Sequence, residues 1–374
     1  MTSMTWATSC IDCGRATKDP LSWRCECRGP LETKVRVDYG SPTRSGSTFG
    51  RFSSQYPYLD AADLVSLGES ETPLVKGDDA SYKLEYLLPT GSFKDRGSCA
   101  LLSGIRQELL RRHVGLVKED SSGNAGASIA AYSARAGIKC EVYVPAAVSG
   151  PKALQIQMYG ASMVRVQGSR GYVTKAAQAE KGGSVYVGHI WHPFFRDGMR
   201  TLAYELFEQS GRRLPESVFL PVSAGTLLLG FLEGVQHLRS SGAVRELPHV
   251  VACQSLSVSP LYSKMTGRSY SPPSATKTIA DALVSISPPL LNHMVSRLKE
   301  AGGDAEAATE AEILKAWKEL AKKGFYVEPS SAVAYACLKK RKEQGSAERD
   351  TVVVLTGSGL KSRDETLRVA LQLG

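Results

Sequence analysis

The chain has 374 residues, 42% of them hydrophobic and 22% charged, with a formal net charge of +9. That length buries a large core and fits one bilobal unit or two to three domains. No apolar run approaches the roughly 20 residues of a membrane span, and 1–10 lacks the basic start and apolar stretch of a secretory signal, so no membrane is expected and the cytoplasm is the default compartment. The positive charge favours anionic partners, but basic residues alternate with acidic ones, as in 310–323, and no Lys/Arg run with interleaved aromatics appears. Nucleic acid is therefore not expected; the competing reading is a solvated basic surface that also draws in phosphorylated metabolites.

In chain order, the first signal is four cysteines, Cys10, Cys13, Cys25 and Cys27, spaced C-x2-C and C-x-C. Thiols grouped this way in a reducing compartment bind metal more often than they cross-link. Zinc takes four thiolates tetrahedrally, usually from two C-x2-C knuckles, so the C-x-C pair leaves two readings open: a structural zinc, or four reduced, unliganded thiols. Cys99, Cys140, Cys253 and Cys337 are isolated and read as core residues. Segments 40–58 and 266–277 lack apolar periodicity and read as surface excursions. Between them, Pro89-Thr90-Gly91-Ser92-Phe93-Lys94-Asp95-Arg96-Gly97 leads from a turn into a helix-forming run at 98–105, which sets Lys94 beside the N–H groups and positive end of a helix.

From residue 114 onward, short β-branched runs at 114–118, 140–145, 163–166, 184–187, 218–221, 250–254 and 351–355 predict strands. They alternate with amphipathic stretches at 125–136, 152–159, 172–181, 199–209, 227–238, 311–322, 332–342 and 363–373. Such alternation builds parallel strands with crossover helices, an α/β architecture. Three strand ends carry small residues that let the backbone approach an anion: Ser121-Ser122-Gly123-Asn124-Ala125-Gly126, Leu220-Pro221-Val222-Ser223-Ala224-Gly225-Thr226, and Thr356-Gly357-Ser358-Gly359-Leu360-Lys361. The latter two lack the G-x-x-x-x-G-K-[ST] pattern, which argues against ATP binding. A further short segment, Glu328-Pro329-Ser330-Ser331-Ala332, follows an apolar run.

These five segments, in this order across 89–361, resemble the threonine synthase branch of the fold-type II pyridoxal 5′-phosphate (PLP) enzymes. The cysteine group resembles the zinc-ribbon-like head of many microbial members. The resemblance implies a fold of two parallel-type open α/β lobes with the cofactor between them, plus a small Cys-rich head. The head would span 1–35, the large PLP-binding lobe 36–98 and 205–374, and the small lobe 99–204. It implies that Lys94 holds PLP as a Schiff base and then serves as catalytic acid and base, and that Asn124 contacts the 3′-oxygen. Phe93, Ser223, Ala224, Gly225 and Thr226 would complete the cofactor site, with Ser121, Ser122 and Gly123 on the substrate and the Thr356 hydroxyl at the pyridine nitrogen. Glu328 either tunes the ring or substrate amine or caps a helix. A hydroxyl cannot hold a proton on the ring nitrogen as a carboxylate can, which suits β- or γ-elimination and replacement better than transamination. A small-molecule amino-acid substrate and a homodimer are implied as well.

The resemblance points first to conversion of O-phospho-L-homoserine and water to L-threonine and phosphate. The chain departs from that branch where substrate phosphate is bound. In place of N-S-x-N-P-x-R it has His189-Ile190-Trp191-His192-Pro193-Phe194-Phe195, so the Ser and Arg positions are Ile190 and Phe195, and the residue after Asn124, often Thr, is Ala125. Losing a hydroxyl and a guanidinium removes charge-assisted hydrogen bonds from the transition state unless Arg196 or Arg200 substitutes. His189 and His192 read as packing or surface hydrogen-bonding residues, and Trp191, Phe194 and Phe195 as pocket wall or core. The departures keep open a serine/threonine dehydratase or a β-replacement enzyme of the cysteine or cysteate synthase type. A non-catalytic PLP-binding regulator is the reading from another class.

Overall fold

The computed structural model describes residues 6–43, 46–272, 278–346 and 348–372, so the segments 40–58 and 266–277 lie partly outside the described residues. The chain forms two compact units, residues 1–71 with 94–201, and residues 72–93 with 202–374. The boundaries between them fall at 71/72, 93/94 and 201/202, where the sequence reading draws lobe boundaries at 98/99 and 204/205.

In the first unit, the cysteine-bearing head is a three-stranded antiparallel sheet in the order Ala16–Thr17, Trp6–Cys10, Leu31–Val35. Beyond it, four parallel strands run in the order Ser162–Val166, Lys139–Pro145, Leu116–Glu119, Ser184–Tyr186. All four were expected from their β-branched runs. The helix expected at 98–105 is longer, Lys94–Arg111, because it begins directly at the turn; Asp95 in its first turn suits the positive helix end and is held by the Ser128 hydroxyl at 2.6 Å.

That helix packs at backbone distance on the short helix Pro193–Gly198. A Cβ at Gly97 would lie 2.6 Å from the Phe195 ring, one at Gly104 2.8 Å from the Phe194 ring, and one at Gly198 2.3 Å from the Arg96 carbonyl oxygen. The glycines are what let these two elements touch, and the contact fixes Phe195 beside the first turn that carries Lys94.

The second unit is built on a six-stranded sheet in the order Asp304–Ala308, His249–Ser255, Ser217–Pro221, Thr351–Val354, Ser81–Lys83, Leu74–Lys76. All neighbours are parallel except the last pair. Its core joins Phe219, Val251 and Val353 of the sheet to Trp317 and the helix face at Val333, Ala334 and Leu338. The strand Asp304–Ala308 was not expected: its sequence, DAEAA, has no β-branched residue, and burial against its neighbour rather than propensity makes it a strand.

Candidate active site

In the first unit the chemistry gathers around Lys94. Desolvation pushes its amine down to about 8, with the Glu119 charge pulling the other way. The Lys94 Nζ lies 5.7 Å from the centre of the Phe195 ring. Strand Leu116–Glu119 delivers its last residue, Glu119, to the same region, and the chain then turns through Ser121, Ser122 and Gly123 into the helix Asn124–Ala136. Ser121 Oγ accepts the Gly123 N–H at 3.3 Å, and a Cβ at Gly126 would meet the Ser121 carbonyl oxygen at 1.8 Å, so the turn folds tightly onto its own helix. No side chain caps this helix, and the buried Asn124 is its first residue. An uncapped helix start after a parallel strand is where an anion or a polar ligand oxygen is received.

The expected site residues Lys94, Ser121, Ser122, Gly123 and Asn124 thus lie on neighbouring loops and helix starts of one unit. Arg196 takes a different role from the one expected. Its guanidinium donates to the carbonyls of Ile190, at 2.6 Å, of Trp191, at 3.3 Å, and of Leu31 in the head. It is buried, and as placed it clasps the 188–196 segment to the head rather than presenting a cation to a substrate phosphate. Arg200 is likewise committed, to Asp197 at 2.6 Å and to the Gln55 carbonyl at 3.1 Å.

His189 and Glu119 are the pair that sequence reasoning missed. The Nδ1 of His189 lies 2.7 Å from Glu119 Oε1, and its main-chain N–H donates to Glu119 Oε2 at 3.0 Å. Glu119 lies just before a segment valued for its serines and glycine, and nothing in the sequence spacing joins it to a histidine seventy residues later. His192, by contrast, is structural: Nδ1 accepts the Phe194 N–H at 3.3 Å, so Nε2 carries the proton and donates to the Pro20 carbonyl at 3.2 Å. Burial pushes its pKa down to about 3, which keeps this ring neutral.

In the second unit, strands Ser217–Pro221 and Thr351–Val354 are parallel neighbours, so the segments that follow them leave the sheet at the same edge. Residues Ser223, Ala224 and Gly225 lead into the helix Thr226–Ser240, which no side chain caps. Gly225 has φ +93°, and a Cβ there would meet the Met294 sulfur at 2.3 Å, so only glycine makes this turn. The turn leaves helix N–H groups at its mouth, as a phosphate requires. Next to it in the sheet, the buried Thr356 is fixed by Ser331, another residue absent from the expected set. Ser331 Oγ accepts the N–H groups of Thr356 and Gly357 at 3.1 and 2.9 Å, and Thr356 Oγ1 lies 3.0 Å away. With its lone pairs so used, Ser331 donates its hydrogen, which leaves that of Thr356 to be donated elsewhere. The Phe93 N–H donates to the Thr356 carbonyl at 3.0 Å, and the Glu328 N–H to that of Gly357 at 2.8 Å.

The four head cysteines converge: Cys10 and Cys27 sulfurs lie 3.5 Å apart, Cys13 and Cys27 3.5 Å, and Cys13 and Cys25 3.7 Å, all four within 4.8 Å of one another. Tetrahedral Zn–S bonds of ~2.3 Å separate sulfurs by about 3.8 Å, so the C-x-C pair fits as well as the C-x2-C pair. The fit depends on Gly29, where a Cβ would lie 2.7 Å from the Cys10 sulfur.

Comparison with known proteins gives the family and its relatives. The family described as pyridoxal-phosphate dependent enzyme matches residues 65–357. The chain is similar to the threonine synthase of Methanocaldococcus jannaschii, 32% identical over 96% of this chain and 94% of that protein. It is similar also to the threonine synthase of Mycobacterium tuberculosis, 31% identical over 85% of this chain and 89% of that one. Among solved structures, threonine deaminase isoform 2 of Solanum lycopersicum shares the fold, with TM-score 0.68 and 19% identity over 81% of this chain and 83% of that one. Serine racemase of Dictyostelium discoideum gives TM-score 0.64 and 26% identity over 77% and 92%. With the family matched over residues 65–357 and relatives of about this length similar along most of the chain, the chain belongs to the pyridoxal-phosphate dependent enzyme family.

Proposed function

We propose that this enzyme is a PLP-dependent carbon–oxygen lyase of the threonine synthase type, converting O-phospho-L-homoserine and water to L-threonine and phosphate. The observation that carries the reading is similarity to a threonine synthase along nearly the whole chain. Lys94 anchors the cofactor, the N–H groups from Ser223 to Thr226 hold its phosphate, Asn124 meets the 3′-oxygen, and Phe93 adjoins the ring. Bound PLP supplies the electron sink that lets a substrate α-carbon give up its proton. The Lys94 amine, lowered to about 8, keeps a useful neutral fraction near neutral pH and takes that proton at Nζ. Thr356, its oxygen held by Ser331, donates to the ring nitrogen, and Ser121, Ser122 and Gly123 receive the substrate carboxylate.

A second reading has its own observation. Arg196 and Arg200 are committed to the fold, and Ile190 and Phe195 are apolar, which favours an unphosphorylated substrate such as serine or threonine, or β-replacement by a sulfur nucleophile. One assay separates them: the PLP-loaded protein is given O-phospho-L-homoserine, and threonine and free phosphate are both measured. Equal release of the two supports threonine synthase. Absent turnover with bound PLP would sink it, and keto acid from serine or threonine would establish the alternative.

The reading extends to a zinc ion on Cys10, Cys13, Cys25 and Cys27, checked by one zinc per chain in metal analysis of purified protein. It extends also to a homodimer in the cytoplasm, with 36–98 and 205–374 as the large cofactor lobe, 99–204 as the small lobe and 1–35 as the head. Among the described residues no helix is long and apolar enough to cross a membrane.

A further inference from the structure

The cysteine head rests directly on the segment that walls the Lys94 site. Leu31, whose carbonyl accepts from the Arg196 guanidinium, is the register partner of Cys10 across the antiparallel pair. Trp23 and Arg24 lead straight into Cys25. The Trp23 ring stands edge-on to Trp191 at 6.2 Å, and the Arg24 guanidinium lies over Trp191, 4.8 Å from the ring centre. The Pro20 carbonyl accepts from His192 Nε2 at 3.2 Å, and Trp6, on the strand that ends in Cys10, meets the Phe194 ring edge-on at 5.7 Å. The far side of the same segment borders the lysine. A Cβ at Gly97 would lie 2.6 Å from the Phe195 ring, and the Lys94 Nζ is 5.7 Å from the centre of that ring. With Gly198 seated as closely on the Arg96 carbonyl, contacts this tight pass a displacement on rather than absorb it, so a shift of the segment is a shift of Phe195 against Lys94.

A hydrophobic core is not what orders the head between its outer strands. From residue 11 to residue 30 the one buried apolar side chain among the described residues is Leu21, and the one strand is the two-residue Ala16–Thr17. Main-chain bonds only shape the turns, Gly14 N–H to the Cys10 carbonyl and Cys25 N–H to that of Gly29, both at 3.0 Å. A segment with so little buried surface takes its order from a cross-link or an ion, and the four sulfurs within 4.8 Å of one another are the group that can supply it.

We propose that the head is a positioning module for the Lys94 site: a thiophilic divalent cation such as zinc, held by Cys10, Cys13, Cys25 and Cys27, orders residues 11–30 and, through Pro20, Trp23, Arg24 and Leu31, sets the Phe195 ring beside Lys94. The inference rests on the roles proposed above for Lys94 and the four cysteines and adds the coupling between them. Such coupling is reciprocal. Cofactor on Lys94 raises the affinity of the head for the ion by the same factor as the ion raises the affinity for cofactor.

The test is a chelator-competition titration of zinc on the full-length chain, PLP-loaded and PLP-free, with unbound cofactor removed and the lysine-bound absorbance recorded alongside. Zinc is expected to bind about fivefold or more tightly to the PLP-loaded form. Arg196→Ala and Trp23→Ala cut the link and leave every thiol in place. Each is expected to bring the ratio of the two affinities toward one, whatever it does to zinc binding itself, which a head that only adds stability would not do. Trp23→Ala carries this arm alone if Arg196→Ala does not fold. Indistinguishable zinc affinities in the two wild-type forms, or a ratio kept in full by the variants, would overturn the proposal. A chain that takes up no zinc refutes the metal reading and the proposal with it, and one without lysine-bound absorbance refutes the cofactor reading, so each is told apart from a failure of the coupling, in which both are bound.

Discussion

Two lysines eleven positions apart show what separates a structural cation from a reactive one. Lys83, in the second unit, is fully buried and saturated: its Nζ donates to Glu205 at 2.7 Å, the Thr72 carbonyl at 2.7 Å and Gln209 at 2.8 Å. Lys94, at a helix start in the first unit, is only partly buried, yet desolvation moves its amine to about 8. Three acceptors fix the proton on Lys83. At Lys94 desolvation outweighs the pull of the Glu119 charge. Burial makes a lysine reactive only where compensation is incomplete.

The sharpest break of that comparison is at Lys94. Lys94→Ala should abolish the lysine-bound absorbance and lower turnover by about 10²–10⁴-fold with little change in melting temperature, read by spectrum, rate and calorimetry together. Next is Lys83→Met, which strands the Glu205 carboxylate and should cost about 3–5 kcal/mol in denaturant unfolding while the cofactor absorbance of the folded protein stays as in wild type. Arg196→Ala, a third buried cation, should cost about 2–3 kcal/mol through three carbonyls left without their donor. If Arg196 were instead a phosphate ligand, the loss would appear as a raised KM for O-phospho-L-homoserine.

A further effect is one of pH. Lys94 in the cofactor-free fold holds its proton less tightly than in the unfolded chain, about 8 against 10.5, so folding releases a proton between those values. Stability from this group is therefore present above 10.5 and lost as pH falls through about 8. The difference in melting temperature between cofactor-free wild type and Lys94→Met should shift in favour of wild type as pH rises through that window.

What the sequence made legible was local. The lysine turn, the Ser121–Asn124 turn and the Ser223–Thr226 turn each announce themselves through small residues beside a strand or helix start, and seven strands follow from β-branched runs. What it hid was set by partners far along the chain. The grip of His189 on Glu119 depends on the parallel pairing of strands Leu116–Glu119 and Ser184–Tyr186, and the hold of Ser331 on Thr356 on a helix packed under its strand. Arg196 reads as an available cation because a sequence shows charge and not what the charge is already bonded to. The C-x-C spacing leaves zinc and reduced thiols equally open, and the sequence does not show that Gly29 lets the turn close on Cys10.

The most direct measurement is to reduce the PLP-loaded protein with borohydride, digest it and find by mass spectrometry which lysine carries the phosphopyridoxyl group. That label is expected on Lys94, in stoichiometric yield, with Lys83 and Lys361 unmodified. Label on another lysine, or none despite bound cofactor, would contradict it.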